Sequence, residues 1–336
     1  MILTSFSNFA PVIPYNHTLM KVVSGLPDRA ASGPCVLTIG NFDGLHLGHK
    51  EILRTVVEQA RALRLAPAVL TFDPHPVRVL APDKAPQLIT TRSQKLKLIE
   101  NAGIDMVVTV PFDLDFAALS PEDFIKTYLV EGLQTRRLCV GRNFTFGCRQ
   151  TGNIGTLRAW GHEFELVEIA PVIARGVVAS STNVRGRIQE GNVSRACRLL
   201  GRWFEIEGAI VEGAGRGRKL TVPTLNIASD NELLPRHGVY ITRIAIDNGE
   251  FIDSITNIGT RPTFDEHVRT IETFVLRPPV PDVARTARLQ FLRRVRDERK
   301  FDSPELLREQ IGRDVRTAES FFRRLDAGSH ARIHSN

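Results

Sequence analysis

The stretch Thr38-Ile39-Gly40-Asn41-Phe42-Asp43-Gly44-Leu45-His46-Leu47-Gly48-His49 decides how the first half of this chain folds. Before it stands the apolar run Cys35-Val36-Leu37, short enough for a buried strand. After it, Ile52, Val56, Ala60 and Leu63 recur at helical spacing. A strand passing through a glycine-rich turn into an amphipathic helix is the opening unit of a parallel α/β sheet. The turn then lies at the carboxyl edge of that sheet, where such folds place ligands. Gly40 and Gly44 allow a tight turn and close approach of the backbone to a phosphate. His46 and His49, three apart at a helix start, can face one way. The free N–H groups and dipole of the helix add attraction for anions. Two imidazoles so placed can donate hydrogen bonds to a phosphate whose charge grows during displacement. Two other readings of the pair are a chance H-x-x-H or two zinc ligands; zinc would need more ligands, and only Asp43 stands near.

Outward from this point the same alternation continues. Residues 68–72, 106–110 and 138–140 are short β-rich runs, with a helix-like segment at 93–102, so the fold class is α/β with a parallel, Rossmann-like sheet. Beyond residue 200, strand candidates at 207–212, 239–246, 252–256, 270–276 and 287–291 are separated by Gly, Pro or Asn. Their spacing predicts a mostly antiparallel sheet or small β-barrel. One helix closes the chain: Ser303 can cap it, Pro304 suits its first turn, and Leu307, Ile311, Val315, Ala318, Phe322 and Leu325 form its apolar stripe. The expected organisation is an irregular extension at 1–19 with Met20 as an alternative start, a domain at 20–186, a linker helix at 187–202, a second domain at 203–327 and a frayed tail at 328–336.

Composition bounds the function. At roughly 150 residues per domain, 336 residues suggest two domains, each able to bury its own core. With 42% hydrophobic and 24% charged residues, wholesale disorder is excluded. The net charge of +7 suits anionic ligands but is too small to imply a nucleic-acid partner. Four scattered cysteines, with no C-x-x-C pair, argue against a disulfide framework or thiolate zinc site and fit a reducing compartment. No apolar run approaches the ~18 residues of a membrane span, so no membrane partner and a cytoplasmic location are the expectation.

Three further motifs follow in the first half: Leu70-Thr71-Phe72-Asp73-Pro74-His75-Pro76, then Val140-Gly141-Arg142-Asn143-Phe144-Thr145-Phe146-Gly147, then Ser180-Ser181-Thr182-Asn183-Val184-Arg185. With the Gly40–His49 stretch they resemble, in order, the nucleotidyltransferase signature of bacterial bifunctional riboflavin kinase/FAD synthetases. The likeness runs from Met20 to Leu325. It implies that Gly40, Asn41, Phe42, Asp43 and Gly44 hold ATP phosphates and that His46 and His49 are catalytic. Ser181 and Thr182 hydroxyls and the forked Arg185 cation suit the β- and γ-phosphates, against the plainer reading of a helix N-cap. Asn143 and Phe144 resemble the stretch that contacts adenine or flavin; ordinary core packing is the other reading of the phenylalanines. His75, between two prolines, reads as a rigid turn element. Val178 stands where relatives carry a basic residue, and Arg175 is the substitute at hand.

The second half carries Gly208-x-x-x-x-Gly213-x-Gly215-x-Gly217-Arg218 and Pro223-Thr224-Leu225-Asn226, which resemble the riboflavin kinase motif. Glycine-rich turns can expose N–H groups to a phosphate chain, here Gly213, Gly215 and Gly217. Thr224 and Asn226 offer oxygen ligands for Mg²⁺. Asn257-Ile258-Gly259-Thr260-Arg261-Pro262 and Thr270-Ile271-Glu272-Thr273 match the same domain, placing Arg261 on a flavin or adenine contact and Glu272 on the catalytic glutamate. The run Arg296 to Phe301 reads as a solvated turn. Departures are Thr221-Val222 for Gly-Phe, Leu225 inside the Pro-Thr-x-Asn motif, Phe274 after Glu272, and the proline-broken 277–288. The resemblance implies phosphorylation of riboflavin to FMN in the second domain and adenylylation of FMN to FAD, releasing pyrophosphate, in the first. ATP and Mg²⁺ serve both, riboflavin, FMN and ATP are the partners, and a homo-oligomer is left open. One alternative is an adenylyltransferase whose barrel only binds flavin; another, resting on charge alone, is a non-enzymatic nucleic-acid-binding protein.

Overall fold

The structure is a computed structural model that describes residues 19–26, 33–212, 224–262, 267–276 and 284–333. Residues 1–18 of the expected extension at 1–19 therefore lie outside the described residues. Contacts divide the chain into two units, 13–183 and, for the described part, 184 onward.

In the first unit, β1 (Lys21–Ser24), β2 (Cys35–Ile39), β3 (Ala66–Asp73), β4 (Met106–Pro111), β5 (Thr135–Gly141) and β6 (Glu165–Ile169) form one parallel sheet in the order β1-β4-β3-β2-β5-β6. The alternation of side chains splits the core into two layers. Cys35, Leu37, Ile39, Ala68, Leu70, Met106 and Val108 pack on one face; Val36, Val69, Val107 and Cys139 pack on the other. Both edge strands, β1 and β6, escape the sequence reading because neither is fully buried, and so neither shows a continuous apolar run.

Helix α1 (Leu47–Leu63) covers the second face with Leu53, Val56, Val57 and Ala60 buried. This corrects the expected stripe. Leu63 is 40% exposed, because the helix ends there on Arg64 in the left-handed region. α2 (Arg92–Asn101) starts with a capping box between Thr91 and Gln94. A short antiparallel ribbon, β7 (Ile173–Ala174) and β8 (Val177–Val178), places Arg175 and Gly176 at its turn.

The expected single linker helix is two. α3 (Ser181–Gln189) and α4 (Val193–Leu200) are separated at Gly191, whose φ of +76° breaks the helix.

The second unit is a closed antiparallel barrel in the order β10-β13-β12-β11-β14-β9, from β9 (Phe204–Val211), β10 (Thr224–Ser229), β11 (Gly238–Ile246), β12 (Ile252–Pro262), β13 (His267–Val275) and β14 (Thr286–Arg296). Closure removes every exposed sheet edge. Inside it, four buried hydroxyls satisfy one another: Thr242 with Ser254 and Thr256, both at 2.8 Å, and Thr256 with Thr273 at 2.9 Å.

α5 (Pro304–Ile333) is capped by Ser303, whose hydroxyl accepts the Leu306 N–H at 3.3 Å. It lays Ala318 and Phe322 against Val239, Ile241, Ile255 and Leu292. The helix continues past the expected start of a frayed tail, since no proline interrupts 327–333. In the charge run at 296–301, residues 297–300 are exposed and outside helix or strand as expected, and Arg296 is the exception. Arg296 leaves solvent to fork onto the buried Asp314 carboxylate, with Nε at 3.1 and 3.0 Å and Nη2 at 2.8 Å, so β14 and α5 are tied by a charge-assisted clasp.

Candidate functional site

The turn between β2 and α1 is built by anchors that face inward. Phe42 and Leu45 are each 1% exposed, and both take positive φ, 51° and 35°, to let the backbone double back. Gly44, at φ +78°, is the residue that cannot be replaced cheaply. A Cβ there would lie 2.8 Å from Ile89 Cδ1. Phe42 is thus core, its ring packed within the turn itself.

Asp43 behaves similarly. Its buried carboxylate accepts the N–H of Ile89 at 2.9 Å, the N–H of Thr90 at 3.2 Å and the Thr90 hydroxyl at 3.3 Å. Thr90 Oγ1 in turn accepts the Gly44 N–H at 3.2 Å. The carboxylate pins the turn to the segment before α2.

His46 is the N-cap of α1. Its Nδ1 accepts the His49 N–H at 3.3 Å. That bond uses the Nδ1 lone pair, so a neutral ring carries its proton on Nε2. The His46 and His49 rings stack with centroids 3.7 Å apart and planes 22° from parallel, and Phe42 buttresses His49 at 5.0 Å. Gly48 makes room for this stack. A Cβ there would sit 3.0 Å from His46 Cε1 and 3.2 Å from the Ala179 carbonyl oxygen.

The Ser-Ser-Thr motif reaches the same place. Ser181 Oγ donates to the Asp43 carbonyl at 2.9 Å across 138 residues of sequence. Ser180 Oγ accepts the Asn183 N–H at 3.3 Å and so caps α3. Thr182 is exposed in the first turn of α3, with Arg185 one turn further along. The structure therefore brings His46, His49, Asp43, Gly44 and Ser181 together at the carboxyl edge of the sheet.

Beside the turn opens a cavity of about 840 Å³. Gly40 and Asn41 line one side, Phe72, Phe112 and Phe116 the wall, and Asn143 and Phe144 another side. Phe144 stacks on Phe146 at 5.5 Å. An aromatic cavity of this size with a few amides suits a flat heteroaromatic ring. Lys95, which sequence reading passed over because it looks like a surface residue of α2, donates to Thr71 Oγ1 at 3.3 Å. Thr71 Oγ1 also donates to the Asn41 carbonyl at 3.4 Å. Burial pushes the Lys95 ammonium below the usual lysine range. Elsewhere in the core, burial pushes the Cys35 and Cys139 thiols up to about 12, so neither is a nucleophile at neutral pH. Among the described residues no group of three or more His, Cys, Asp or Glu could hold a metal ion.

In the second unit the candidate residues form a row across three strands. Asn226 on β10 pairs with Glu272 on β13, and Glu272 pairs with Asn257 on β12. Directly paired residues point to the same side. Ile271, Thr273 and Val275 are buried inside the barrel, which turns Glu272 to its outer face. Thr224, two residues before Asn226 and exposed, shares that face. Asn257 belongs to the row although its motif alone did not single it out; the ladder register is what reveals it. Arg261 lies further along β12, opposite Val268. Gly213, Gly215 and Gly217, Thr221-Val222 and residues 277–283 lie outside the described residues.

Comparison with known proteins finds the same two-part division. A family model described as FAD synthetase matches residues 28–183, and one described as riboflavin kinase matches 200–322. The bifunctional riboflavin kinase/FMN adenylyltransferase of Escherichia coli strain K12 is 35% identical over 90% of this chain and 98% of its own length. That of Bacillus subtilis strain 168 is 33% identical over 93% and 98%. A crystal structure titled as a macrolide-efflux protein from Streptococcus pneumoniae superposes with a TM-score of 0.81 at 25% identity, covering 89% of this chain and 99% of that one. In the chain described here, no helix among the described residues is long and apolar enough to cross a membrane. A histidine-bearing turn on a parallel sheet, a Thr-Asn-Glu row on a closed barrel, and identity spanning both units over nearly the full length of the relatives lead to one family: the chain belongs to the bifunctional riboflavin kinase/FMN adenylyltransferases.

Proposed function

We propose that the two activities of the family are divided between the two units, with roles as follows. The chain is a riboflavin kinase and FMN adenylyltransferase. In the first unit, the aromatic cavity takes the flavin ring and the turn at residues 40–49 takes the phosphates. A phosphate oxygen of FMN attacks the α-phosphorus of ATP, the bond to the bridging oxygen breaks, and pyrophosphate leaves. Nε2–H of His46 and the His49 ring donate to the charge that builds on the transferring and leaving phosphates. Thr182 and Arg185 serve the distal phosphates, while Asp43 and the Ser181 hydroxyl hold the turn in shape. Asn143 and Phe144 contact the ring system. The stacked histidines at the start of α1, a few residues beyond Gly40 and Asn41 of the cavity wall, carry this reading.

In the second unit, Glu272 orients the ribityl hydroxyl of riboflavin for attack on the γ-phosphorus of ATP and takes its proton, while the bond to the β,γ-bridging oxygen breaks and ADP leaves. Thr224 Oγ and the Asn226 amide oxygen are hard donors with Glu272 beside them, a set that fits Mg²⁺, which prefers oxygen and keeps open positions for phosphates and water. When bound, the ion would neutralise phosphate charge. Gly213, Gly215 and Gly217 would line the phosphate chain and Arg261 the flavin. Incubation with riboflavin, ATP and Mg²⁺ tests the reading: FMN, FAD, ADP and pyrophosphate are expected. FAD from supplied FMN without any FMN from riboflavin would favour an adenylyltransferase with a flavin-binding barrel, and no turnover in either half would overturn both.

A further inference from the structure

His75 sits between two contacts that fix each other's chemistry. Its Nδ1 lies 3.3 Å from the Val77 N–H, and its Nε2 lies 3.3 Å from the amide nitrogen of Asn41. A neutral imidazole has one donor and one acceptor nitrogen. The Val77 N–H is backbone in the first turn of a short helix and cannot turn round, so Nδ1 must be the acceptor and Nε2 the donor. A side-chain amide can turn: a half-turn about χ2 exchanges its oxygen and nitrogen in place. The pair is satisfied when Asn41 presents its oxygen to Nε2–H. The Asn41 NH₂ group is then directed away from His75. Asn41 lines the aromatic cavity and follows Gly40 into the histidine-bearing turn, at the junction between the place for a flat ring and the place for phosphates.

We propose that His75 is a positioning residue for adenylyl transfer: its Nε2–H locks the Asn41 amide so that the NH₂ donates to a non-bridging oxygen of the FMN phosphate and aims another oxygen at the α-phosphorus. The inference rests on the adenylyltransferase reading of this unit. It assigns the TFDPHP-like segment a chemical task beyond a rigid turn.

Two substitutions separate that task from a turn-capping one. Glutamine can replace the Nε2 donor of histidine but not its Nδ1 acceptor; asparagine can replace the Nδ1 acceptor but not the Nε2 donor. FAD formation from FMN and ATP is measured for wild type, His75→Gln, His75→Asn and His75→Phe, and for each in an Asn41→Ala background. Protection of the buried Cys35 and Cys139 thiols from labelling in the same chains reports that the first unit is folded. One hydrogen bond corresponds to about a tenfold effect. His75→Gln should stay within about threefold of wild type, while His75→Asn and His75→Phe lose about tenfold in kcat, with the KM for ATP unmoved. With Asn41→Ala the differences among position-75 variants should vanish. If His75→Asn matched or exceeded His75→Gln, or if the differences persisted without Asn41, the positioning role would be overturned. Should one variant fail to fold, the remaining pair still decides between the roles. A wild-type chain that forms no FAD removes the adenylyltransferase reading, and this inference with it, whereas wild-type FAD formation with the reverse order of variants removes the inference alone.

Discussion

Asp43→Ala should destabilise the first unit by about 3–5 kcal/mol before it affects chemistry. The carboxylate accepts two backbone N–H groups and a hydroxyl from Ile89 and Thr90, which are 1% and 7% exposed. Alanine would strand the two donors away from water. A buried donor left without its acceptor costs roughly 1–3 kcal/mol, more when that acceptor was ionised, and the hydroxyl adds a smaller loss. Asp43→Asn keeps one oxygen, so about half the penalty is expected. For a unit of this size, each kcal/mol corresponds to about 2–4 °C in Tm. Thermal unfolding followed at Trp160, which lies in the first unit, should therefore fall by about 10 °C in the alanine variant, with faster amide exchange at Ile89 and Thr90. FAD formation should recover partly on cooling. If the variant melted within about 2 °C of wild type while FAD formation vanished at every temperature, Asp43 would be contacting nucleotide or metal directly, and the positioning argument would fail.

The division of labour predicts a crossed pair of losses. His49→Ala should lower FAD formation by about a hundredfold or more and spare FMN formation, and Glu272→Gln should lower riboflavin phosphorylation by about 10²–10⁴-fold while leaving FAD formation from supplied FMN; equal losses of both activities in each variant would refute two separate sites. Breaking the clasp with Asp314→Ala leaves the half-buried Arg296 without its carboxylate, though still bonded to the Asp297 carbonyl, so the barrel should lose about 2–3 kcal/mol, read as heat-labile riboflavin kinase activity beside unchanged FAD synthesis. Thiol labelling of the native protein at pH 8 should modify Cys148, which is half-buried, and leave Cys35, Cys139 and Cys197 untouched until denaturant is added. Rapid native labelling of Cys35 or Cys139 would contradict the burial that pushes both up to about 12.

Much was legible in one dimension because the forces concerned are local or periodic. Cys35–Ile39 reads as a strand since both its faces are covered and every residue is buried. The Gly40–His49 turn announces itself through glycine and histidine at fixed spacing, and Ser303-Pro304 marks the start of the last helix. What escaped involves partners brought together from afar. Asp43 looks like a ligand in sequence and becomes a structural acceptor only because Ile89 and Thr90 fold over it. Lys95 and Arg296 look like solvated charges until Thr71 and Asp314 meet them. Asn257 joins Glu272 and Asn226 through strand register, which depends on how the barrel closes. Chain chemistry thus determined the elements, the turn and the identities of the candidate groups. Tertiary structure alone decided which polar side chains gather at the candidate sites and which are consumed by the fold, because a hydrogen bond between distant residues leaves no periodic trace in the order of the amino acids.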